Sequence, residues 1–401
     1  FNTMNYASIV PLIGGGTIAM QNIFNKKPEY IVSYDGFQAN DTHLVEYYQN
    51  KVPYHLIGDG GLPDLPSVDV VNTVCPCAGL SSLSPSASSD ASANDWMRTS
   101  ANYVLESLQP QVFWGENAPR LASKMGEPIV RDLRKIGKKF GYTFSIYKTK
   151  SLLHGLSQTR DRTFYFFWKG DKVPMFEYIK REHEKIEDAI RSVERKADDP
   201  MNILTNSKTP SEDPYYKYVL EEIEGGISHK EFSDKITKSA NLFDYIEAHG
   251  PKYDVVGKWR SKKGFDNQAG RCDRMYNKLK DGFNIMRKGT EIPKDYIGAF
   301  VGHLPHSLTH PDEDRYLTIR EAMEVMKLPR DFVLQGGLRN LNHICQNVPV
   351  TTAMDMAEHV LKFCDGRLDN SMIDTDFLVQ DNKSRKIDYK KSSVHLDEFM
   401  V

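Results

Sequence analysis

Short apolar runs alternate with longer stretches that have one apolar helical face along the first 170 residues. The apolar, β-branched runs predict buried strands at residues 7–13, 30–35, 54–57, 70–74, 110–114, 142–147 and 163–168. Helical periodicity lies between most of them, at residues 18–24, 40–49, 95–108 and 127–140. Strands that alternate with helices in this way predict an α/β fold with a doubly wound, mainly parallel sheet.

The character of the chain changes at about residue 170. The next residues are polar and begin with a charged stretch at 176–196 that predicts an amphipathic helix. Apolar periodicity returns from about residue 305 and predicts a last helix at about 352–363. We therefore expect a first domain from residues 1–170 and 305–365, a second domain inserted at 171–304, and a polar C-terminal extension at 366–401.

Composition places the chain among soluble globular proteins and leaves room for a nucleic-acid partner only at a local patch. Of its 401 residues, 40% are hydrophobic and 26% are charged, and the formal net charge is −2. The stretch 251–288 interleaves Trp259, Phe265 and Tyr276 with basic residues, which fits either a phosphate-contacting surface or a solvated face. The basic residues are Lys252, Lys258, Arg260, Lys262, Lys263, Arg271, Arg274, Lys278, Lys280, Arg287 and Lys288.

Cysteine usage and hydropathy exclude several classes of protein. The five cysteines are few and odd in number, which favours a reducing compartment over a disulfide framework. Cys75 and Cys77 are too close together to be an ordinary zinc-ligand pair, so we expect no metal site. No run approaches the roughly 20 apolar residues of a membrane span, and no signal-peptide pattern is present. We expect a soluble, intracellular protein.

A thiol follows the predicted strand at 70–74. Cys77 comes directly after Pro76, where a central strand gives way to a small, glycine- and serine-rich loop. An α/β enzyme presents a nucleophile at such a position, although a buried core thiol fits the same local pattern. Residues 81–95, with seven serines, then form either a mobile lid over the thiol or a solvated linker.

Acidic and basic side chains follow the next predicted strands. Glu116 comes just after the strand at 110–114, where it would be an acid/base partner for the thiol on the neighbouring strand. Arg160 and Arg162 lie two residues apart on an extended segment, so their side chains point the same way and can converge on one ligand.

A glycine turn and two strand-end acids indicate a nucleotide-like cofactor. Gly14, Gly15 and Gly16 separate the first strand from a helix, which lets the backbone approach a ligand closely. Asp35 ends the second strand about 20 residues later and would suit a ribose diol. Asp59 follows the third strand in the same way.

In this order, the pieces resemble the motifs of the DNA (cytosine-C5) methyltransferase family. That family's Pro-Cys-Gln, Glu-Asn-Val, Gln-x-Arg-x-Arg, Arg-x-Leu-Thr-x-Arg-Glu and Gly-Asn-Ala-Val-Pro motifs have counterparts at 76–78, 116–118, 158–162, 315–321 and 345–349. The resemblance covers about residues 7–170 and 305–365. The stretch between falls where the family inserts its target-recognition domain.

The resemblance implies a role for each candidate residue. The thiolate of Cys77 would add to C6 of a cytosine flipped out of double-stranded DNA, in a catalytic pocket shared with Glu116, Arg160 and Arg162. S-adenosyl-L-methionine would be the methyl donor, bound by Leu12, Gly14, Gly16, Asp35, Asp59, Gln346 and Asn347. DNA would be contacted by Ser81, Lys258, Arg260, Lys262, Lys263, Arg271 and Arg274. The protein would be a monomer in the cytoplasm of a prokaryote or of a phage-infected cell.

Departures from the family pattern keep alternatives open. Leu12 stands where the first motif has an aromatic residue, Ala78 replaces the Gln, and residues 345–347 replace Gly-Asn-Ala. The alternatives are a variant that transfers a non-methyl alkyl group, a catalytically inactive DNA-binding homologue, and a tRNA cytosine-C5 methyltransferase of the same fold. The large insertion favours duplex DNA over tRNA, because a recognition domain of that size can read major-groove edges.

Overall fold

Two compact units make up the chain in the computed structural model, which describes residues 3–58, 64–74, 95–117, 119–212, 217, 220–221, 224–236, 290–302 and 304–390. Unit 1 comprises residues 1–189, 295–302 and 323–401, and unit 2 comprises residues 190–294 and 303–322. Their bounds differ from those of the predicted domains, since residues 303–322 group with the inserted unit. No helix within the described ranges is long and apolar enough to cross a membrane.

The strands and helices follow the predicted alternation in the first half of the chain. The strands are β1 Tyr6–Ile9, β2 Ile31–Tyr34, β3 Tyr54–Ile57, β4 Val70–Thr73, β5 Val112–Asn117, β6 Tyr142–Lys150, β7 Asp161–Lys169, β8 Val173–Pro174, β9 Thr290–Glu291, β10 Leu308–Thr309, β11 Met372–Ile373, β12 Phe377–Asp381 and β13 Lys386–Lys390. The helices are α1 Gly15–Phe24, α2 Gln38–Tyr47, α3 Asp95–Tyr103, α4 Glu127–Lys139, α5 Ile186–Arg191, α6 His229–Ile236, α7 Leu304–Ser307, α8 Ile319–Glu324 and α9 Val350–Cys364. A π-helical turn, Val104–Leu108, extends α3, and a 3₁₀ segment, Gly337–Gln346, precedes α9.

One nine-stranded sheet, in the order β13-β12-β6-β7-β5-β4-β1-β2-β3, forms the centre of unit 1. Strands β1 to β5 pair in parallel, whereas β7 runs antiparallel to both β5 and β6. The predicted α/β fold with a doubly wound, mainly parallel sheet is therefore confirmed. Because β1, β2, β4 and β5 are parallel, the residues that follow them emerge at one edge of the sheet.

Aromatic side chains fix the register between β5 and β7. Trp114 stacks on Phe166 and Phe113 stacks on Phe167, with ring centroids 5.8 Å and 5.7 Å apart. All four rings are fully buried, and such pairs add to the free energy that burial alone supplies. The register places Glu116 opposite Phe164 and continues β5 to Asn117, so Glu116 lies within the strand and not after it.

The prediction of a polar extension at 366–401 is wrong for its first part. β12 pairs in parallel with β6, β13 pairs with β12, and both strands belong to the central sheet. Phe377, Leu378 and Val379 are buried there. The apolar run is only three residues long and is followed by charged residues, so its local pattern is too short to indicate a strand.

The predicted helix at 176–196 is also wrong over most of its length, since only α5 is helical. The carboxamide of Gln380 accepts a hydrogen bond from the Phe176 amide at 2.8 Å and donates one to the Phe176 carbonyl at 2.9 Å. Asn382 holds Ile179 through the same pair of bonds. Side chains distant in sequence thus form the hydrogen bonds that the backbone at Phe176 and Ile179 would otherwise form within a helix. Local periodicity does not reveal such contacts.

Unit 2 contains the segment that resembles the Arg-x-Leu-Thr-x-Arg-Glu motif, and here its polar side chains stabilise the fold. Thr318 and Glu321 form a reciprocal capping box at the start of α8. Arg315 binds the buried Glu321 carboxylate through two bonds of 2.7 Å and 2.9 Å. Arg320 binds Asp199 in the same bidentate way, with two bonds of 2.9 Å.

Candidate active site

Glu116, which is buried, and Arg162, which is partly buried, form an ion pair between two neighbouring strands. β5 carries Glu116, whose side chain is nearly inaccessible to solvent, and β7 begins one residue before Arg162. The guanidinium Nε of Arg162 lies 2.5 Å from Glu116 Oε1. Of the two arginines predicted to converge on one ligand, Arg162 therefore contacts the candidate acid.

Burial raises the pKa of the Glu116 carboxyl above its ordinary value. The positive charges of Arg162 and Arg160 oppose this shift without cancelling it. A carboxyl group in this state can donate a proton to a ring nitrogen as well as accept a hydrogen bond. This is the property that an acid facing a heterocyclic base requires.

Arg160 does not share the position of Arg162. Its guanidinium donates hydrogen bonds to the main-chain carbonyls of Phe300, Cys345 and Asn347, at 3.2 Å, 2.9 Å and 3.1 Å. The charge of Arg160 contributes to the potential at Glu116, but its bonds hold the backbone. The two predicted catalytic arginines thus have different partners.

The strand that leads to Cys77 lies directly beside Glu116. β4 pairs in parallel with β5, with Thr73 opposite Gly115. The chain beyond β4 therefore emerges at the edge of the sheet to which Glu116 belongs. Cys77 and Ser81 lie outside the described residues, and so do the predicted DNA-contacting residues Lys258, Arg260, Lys262, Lys263, Arg271 and Arg274.

The turn between β1 and α1 has an unusual backbone. Val10 and Leu12 both have a positive φ, of 48° and 52°, and Gly14 follows with a φ of 111°. A β-branched residue in this region is strained, and such strain concentrates where a backbone must approach a ligand. Leu12 itself is buried. The backbone of this turn is therefore held in one specific, strained conformation.

Gly15 and Gly16 make the closest approaches at the start of α1. A Cβ on Gly15 would lie 2.2 Å from the Val348 carbonyl oxygen and 2.4 Å from Asn347 Oδ1. A Cβ on Gly16 would lie 2.7 Å from Asn72 Oδ1. The amide of Gly15 also donates a hydrogen bond of 2.8 Å to Asn347 Oδ1. The sequence predicts Gly14 and Gly16 as the close-approach glycines, whereas Gly15 is the more confined.

Two buried amide atoms flank this first turn without a protein partner in the described part of the chain. They are the carboxamide nitrogen of Asn347, a donor, and the carboxamide oxygen of Asn72, an acceptor. Buried polar atoms are normally paired, so such a donor and acceptor suit a polar ligand group. The amino and carboxylate groups of S-adenosylmethionine have this polar chemistry. Asn72 is not among the residues predicted from the sequence, although a polar residue inside an apolar strand is a signal that could identify it.

The remaining predicted cofactor residues differ in exposure. Asp35 is exposed beyond the end of β2 and accepts a hydrogen bond of 2.6 Å from Gln38 Nε2. The ring of Trp96 contacts the rings of Tyr34 and Phe37, which precede and follow Asp35 in the sequence. Gln346 is exposed, unlike Asn347 next to it, and Asp59 lies outside the described residues.

Comparison with known proteins gives one family match. The family model for C-5 cytosine-specific DNA methylases matches residues 4–362. No curated protein matches the chain.

Three solved structures are similar in fold. A protein described as a DNA modification methyltransferase encoded within a prophage (E. coli) has a TM-score of 0.55 and 16% identity, covering 92% of this chain and 100% of that chain. The Entamoeba histolytica methyltransferase EhMeth has a TM-score of 0.52 and 11% identity, covering 90% and 98%. The S. pombe Dnmt2 methyltransferase has a TM-score of 0.51 and 12% identity, with the same coverage. At these identities the likeness shows the fold alone.

Proposed function

We propose, from the premise that the chain belongs to the C-5 cytosine-specific DNA methylase family, that its substrate is cytosine in double-stranded DNA. Membership makes the protein a cytosine-C5 methyltransferase, and S-adenosyl-L-methionine is the methyl donor of that family. The observation that carries the proposal is the ion pair of the buried Glu116 with Arg162, beside the strand that leads to Cys77.

The chemistry requires a nucleophile before C5 can react. C5 of cytosine is too weak a nucleophile to take a methyl group directly. When the Cys77 thiolate adds to C6, the ring electrons move to C5, which becomes enamine-like. Cys75, two residues earlier in the sequence, would be structural.

Glu116 and Arg162 would stabilise the base as the thiolate adds. The carboxyl of Glu116, its pKa raised by burial, would donate a proton to N3 and accept from the exocyclic amine. Arg162 would bind the O2 of the ring and, through its contact with Glu116, fix the direction of that carboxyl. Both groups are already in place before the base arrives, which is the arrangement that stabilises a developing charge most effectively.

Residues at the start of α1 would hold the donor, which supplies an electrophilic methyl group. Asn347, Gly14 and Gly16 would border the polar end of the donor, and Asp35 and Asp59 would bind the ribose and the adenine edge. Leu12 and Gln346 would complete the surface. As C5 takes the methyl group, the bond between that carbon and the donor sulfur would break and S-adenosylhomocysteine would remain. A base would then remove the C5 proton, the C5–C6 double bond would re-form, and the Cys77–C6 bond would break to return the thiolate.

Duplex DNA is favoured over RNA by the size of the inserted stretch, because a recognition domain of that size can read major-groove edges. Methylation at C5 requires the base to leave the stack, so the protein must contact the surrounding strand. We propose that residues 171–304 act as the target-recognition domain, that Ser81 and the six basic residues from Lys258 to Arg274 contact the DNA, and that the protein acts as a monomer.

Cys77→Ser tests the assignment of the nucleophile. The hydroxyl is a far weaker nucleophile than the thiolate, so methyl transfer to DNA should fall to background while DNA binding is retained. Methyl transfer is measured with labelled donor, and DNA binding with a gel-shift assay. Cys75→Ser is the matched control and should stay active. Full activity of Cys77→Ser would show that another residue is the nucleophile.

A further inference from the structure

Side chains of the extended segment 158–162 bind two different parts of unit 1. Gln158, Arg160 and Arg162 alternate along it, which places them on one side of the segment. Arg162 contacts Glu116, on the side of the reacting base. Gln158 and Arg160 instead bind main-chain atoms, so these two side chains have a different task.

Gln158 and Arg160 bind the backbone of unit 1 just before and just after the stretch 303–322, which belongs to unit 2. Gln158 donates to the Val325 carbonyl at 3.0 Å and accepts from the Phe300 amide at 3.3 Å. Arg160 donates to the Phe300 carbonyl. Phe300 lies just before the chain leaves unit 1 at residue 303, and Val325 just after it returns.

Arg160 also reaches the residues that border the donor pocket. One guanidinium nitrogen, Nη2, donates to the carbonyls of both Cys345 and Asn347. The Asn347 side chain in turn accepts from the Gly15 amide at the start of α1. A continuous path of hydrogen bonds therefore joins Arg160 to the turn that approaches the donor.

These bonds direct the guanidinium of Arg160 toward main-chain carbonyls and not toward a substrate. The residue is 3% exposed, and both of its terminal nitrogens are bonded to carbonyl oxygens. Arg is suited to this role because its planar fork carries five donors, whereas the ammonium of Lys is a point charge that cannot span three carbonyls.

We infer that Arg160 is a positioning residue for the methyl donor, fixing the Cys345–Asn347 backbone so that Asn347 is held against α1. The inference rests on the proposed function, because it assigns the donor and base pockets to one enzyme. Arg160 and Arg162 then divide the reaction between them: Arg162 serves the base, and Arg160 serves the donor through the backbone.

Two measurements separate the donor side from the base side. Calorimetry with S-adenosylhomocysteine reports the donor pocket alone. Release of tritium from duplex DNA that carries [5-³H]cytosine, with no donor present, reports the base side, because thiolate addition at C6 lets C5 exchange its proton with water. Arg160→Met and Arg160→Lys are compared with Glu116→Gln and Arg162→Lys, and Arg134→Met is the control for loss of a partly buried arginine.

Arg160→Met should weaken binding of S-adenosylhomocysteine by about tenfold or more, since the variant cannot form the charge-assisted bonds to the backbone, and Arg160→Lys should recover part of it. Donor-free tritium release should stay close to wild type in Arg160→Lys, which keeps the positive charge near Glu116, and Arg160→Met should lose less of it than Glu116→Gln or Arg162→Lys. Glu116→Gln and Arg162→Lys should show the reverse, and Arg134→Met should change neither quantity.

A double substitution covers the case in which Arg160→Met fails to fold. If Arg160 acts through Asn347, the effect of Arg160→Lys on donor affinity should shrink in an Asn347→Ala background. The inference would be overturned if Arg160→Lys left donor affinity unchanged, or if the effects of Arg160→Lys and Asn347→Ala on donor affinity were additive. Loss of tritium release in Arg160→Lys with donor binding intact would overturn it too. A wild-type protein that binds donor but neither releases tritium nor methylates DNA would instead contradict the proposed function.

Discussion

At the scale of single residues, the start of α1, where we propose that the donor binds, depends on space that only glycine leaves. The first residue of α1 is packed against the backbone of Val348 and the carboxamide of Asn347. The buried amide nitrogen of Asn347 and the oxygen of Asn72 lie on either side of the same turn. A methyl group at Gly15 would push these groups apart, and they are the ones we expect to face the ligand.

Gly15→Ala should therefore lower both stability and donor affinity. Overpacking of this kind costs about 1–3 kcal/mol, more than the gain from placing Ala in a helix. Urea unfolding and calorimetry with S-adenosylhomocysteine measure the two effects. Gly298→Ala, where a Cβ would meet nothing within 4 Å, is the control. Equal behaviour of the two variants would show that the turn is not confined as described.

A second residue-scale prediction concerns Asp41 of α2, which is buried and accepts a bond of 2.6 Å from the Tyr54 hydroxyl. Burial raises the pKa of Asp41 from 3.8 to about 6. Its folded-state pKa is raised, so the stability it contributes is fully present below pH 3.8 and is lost as the pH rises through about 6.

Asp41→Asn removes this titration and keeps an acceptor for Tyr54. The unfolding free energy of Asp41→Asn, relative to wild type, should rise by about 2 kcal/mol between pH 4.5 and pH 8. Urea unfolding at the two pH values measures the difference. A difference that stays the same at both would mean that Asp41 does not titrate as its burial implies.

At the scale of elements, what can be predicted from the sequence depends on how local the cause is. β1, β2, β4 and β5 are mostly apolar strands whose residues are buried on both faces of the sheet. Each is therefore predictable from its own residues. β12 is not, because its strand character comes from pairing with β6. The path of residues 176–179 escapes prediction for the same reason, since Gln380 and Asn382 fix it from a distance.

The candidate site follows the same division. Glu116 and Arg162 are predictable because strand ends and alternation bring them to one edge, and the structure pairs them. The different partners of Arg160 are not predictable, because the carbonyls of Phe300, Cys345 and Asn347 meet it only after the chain has returned from unit 2.

Phe377→Ala tests whether β12 is part of the folded core. Phe377 is fully buried, stacks on Phe144 and lies under the Arg134 guanidinium. Its truncation should lower the unfolding free energy by about 3–5 kcal/mol, whereas the exposed Lys383→Ala should change it by less than about 0.5 kcal/mol. Urea unfolding of both variants is the measurement. If Phe377→Ala lowered the unfolding free energy as little as Lys383→Ala, β12 would not be part of the folded core.

At the scale of the whole molecule, the protein is nearly neutral, so any attraction to DNA must come from a local concentration of charge. The basic residues between 251 and 288 are that concentration, and they belong to the inserted unit, away in sequence from the catalytic motifs. Our proposal of separate catalytic and recognition units rests on this stretch.

Replacing Lys258, Arg260, Lys262 and Lys263 with Glu should weaken DNA binding and make it less dependent on salt. For each phosphate that the variant no longer neutralises, the slope of log K against log salt should become shallower by about one. The control replaces four exposed basic residues of α4, namely Arg131, Lys135, Lys138 and Lys139, with Glu. Fluorescence anisotropy at several salt concentrations measures both slopes, and an equal weakening in the two variants would assign the binding to net charge alone.

The central claim is that the protein methylates C5 of cytosine in duplex DNA. Its most direct test is incubation of the wild-type chain with unmethylated duplex DNA, or with tRNA, and labelled S-adenosylmethionine, followed by bisulfite sequencing of the DNA. We predict label in DNA, protected cytosines at a recurring sequence, and loss of both in Cys77→Ser. Label in tRNA with none in DNA, or no transfer to either by a protein that binds the donor, would contradict the claim.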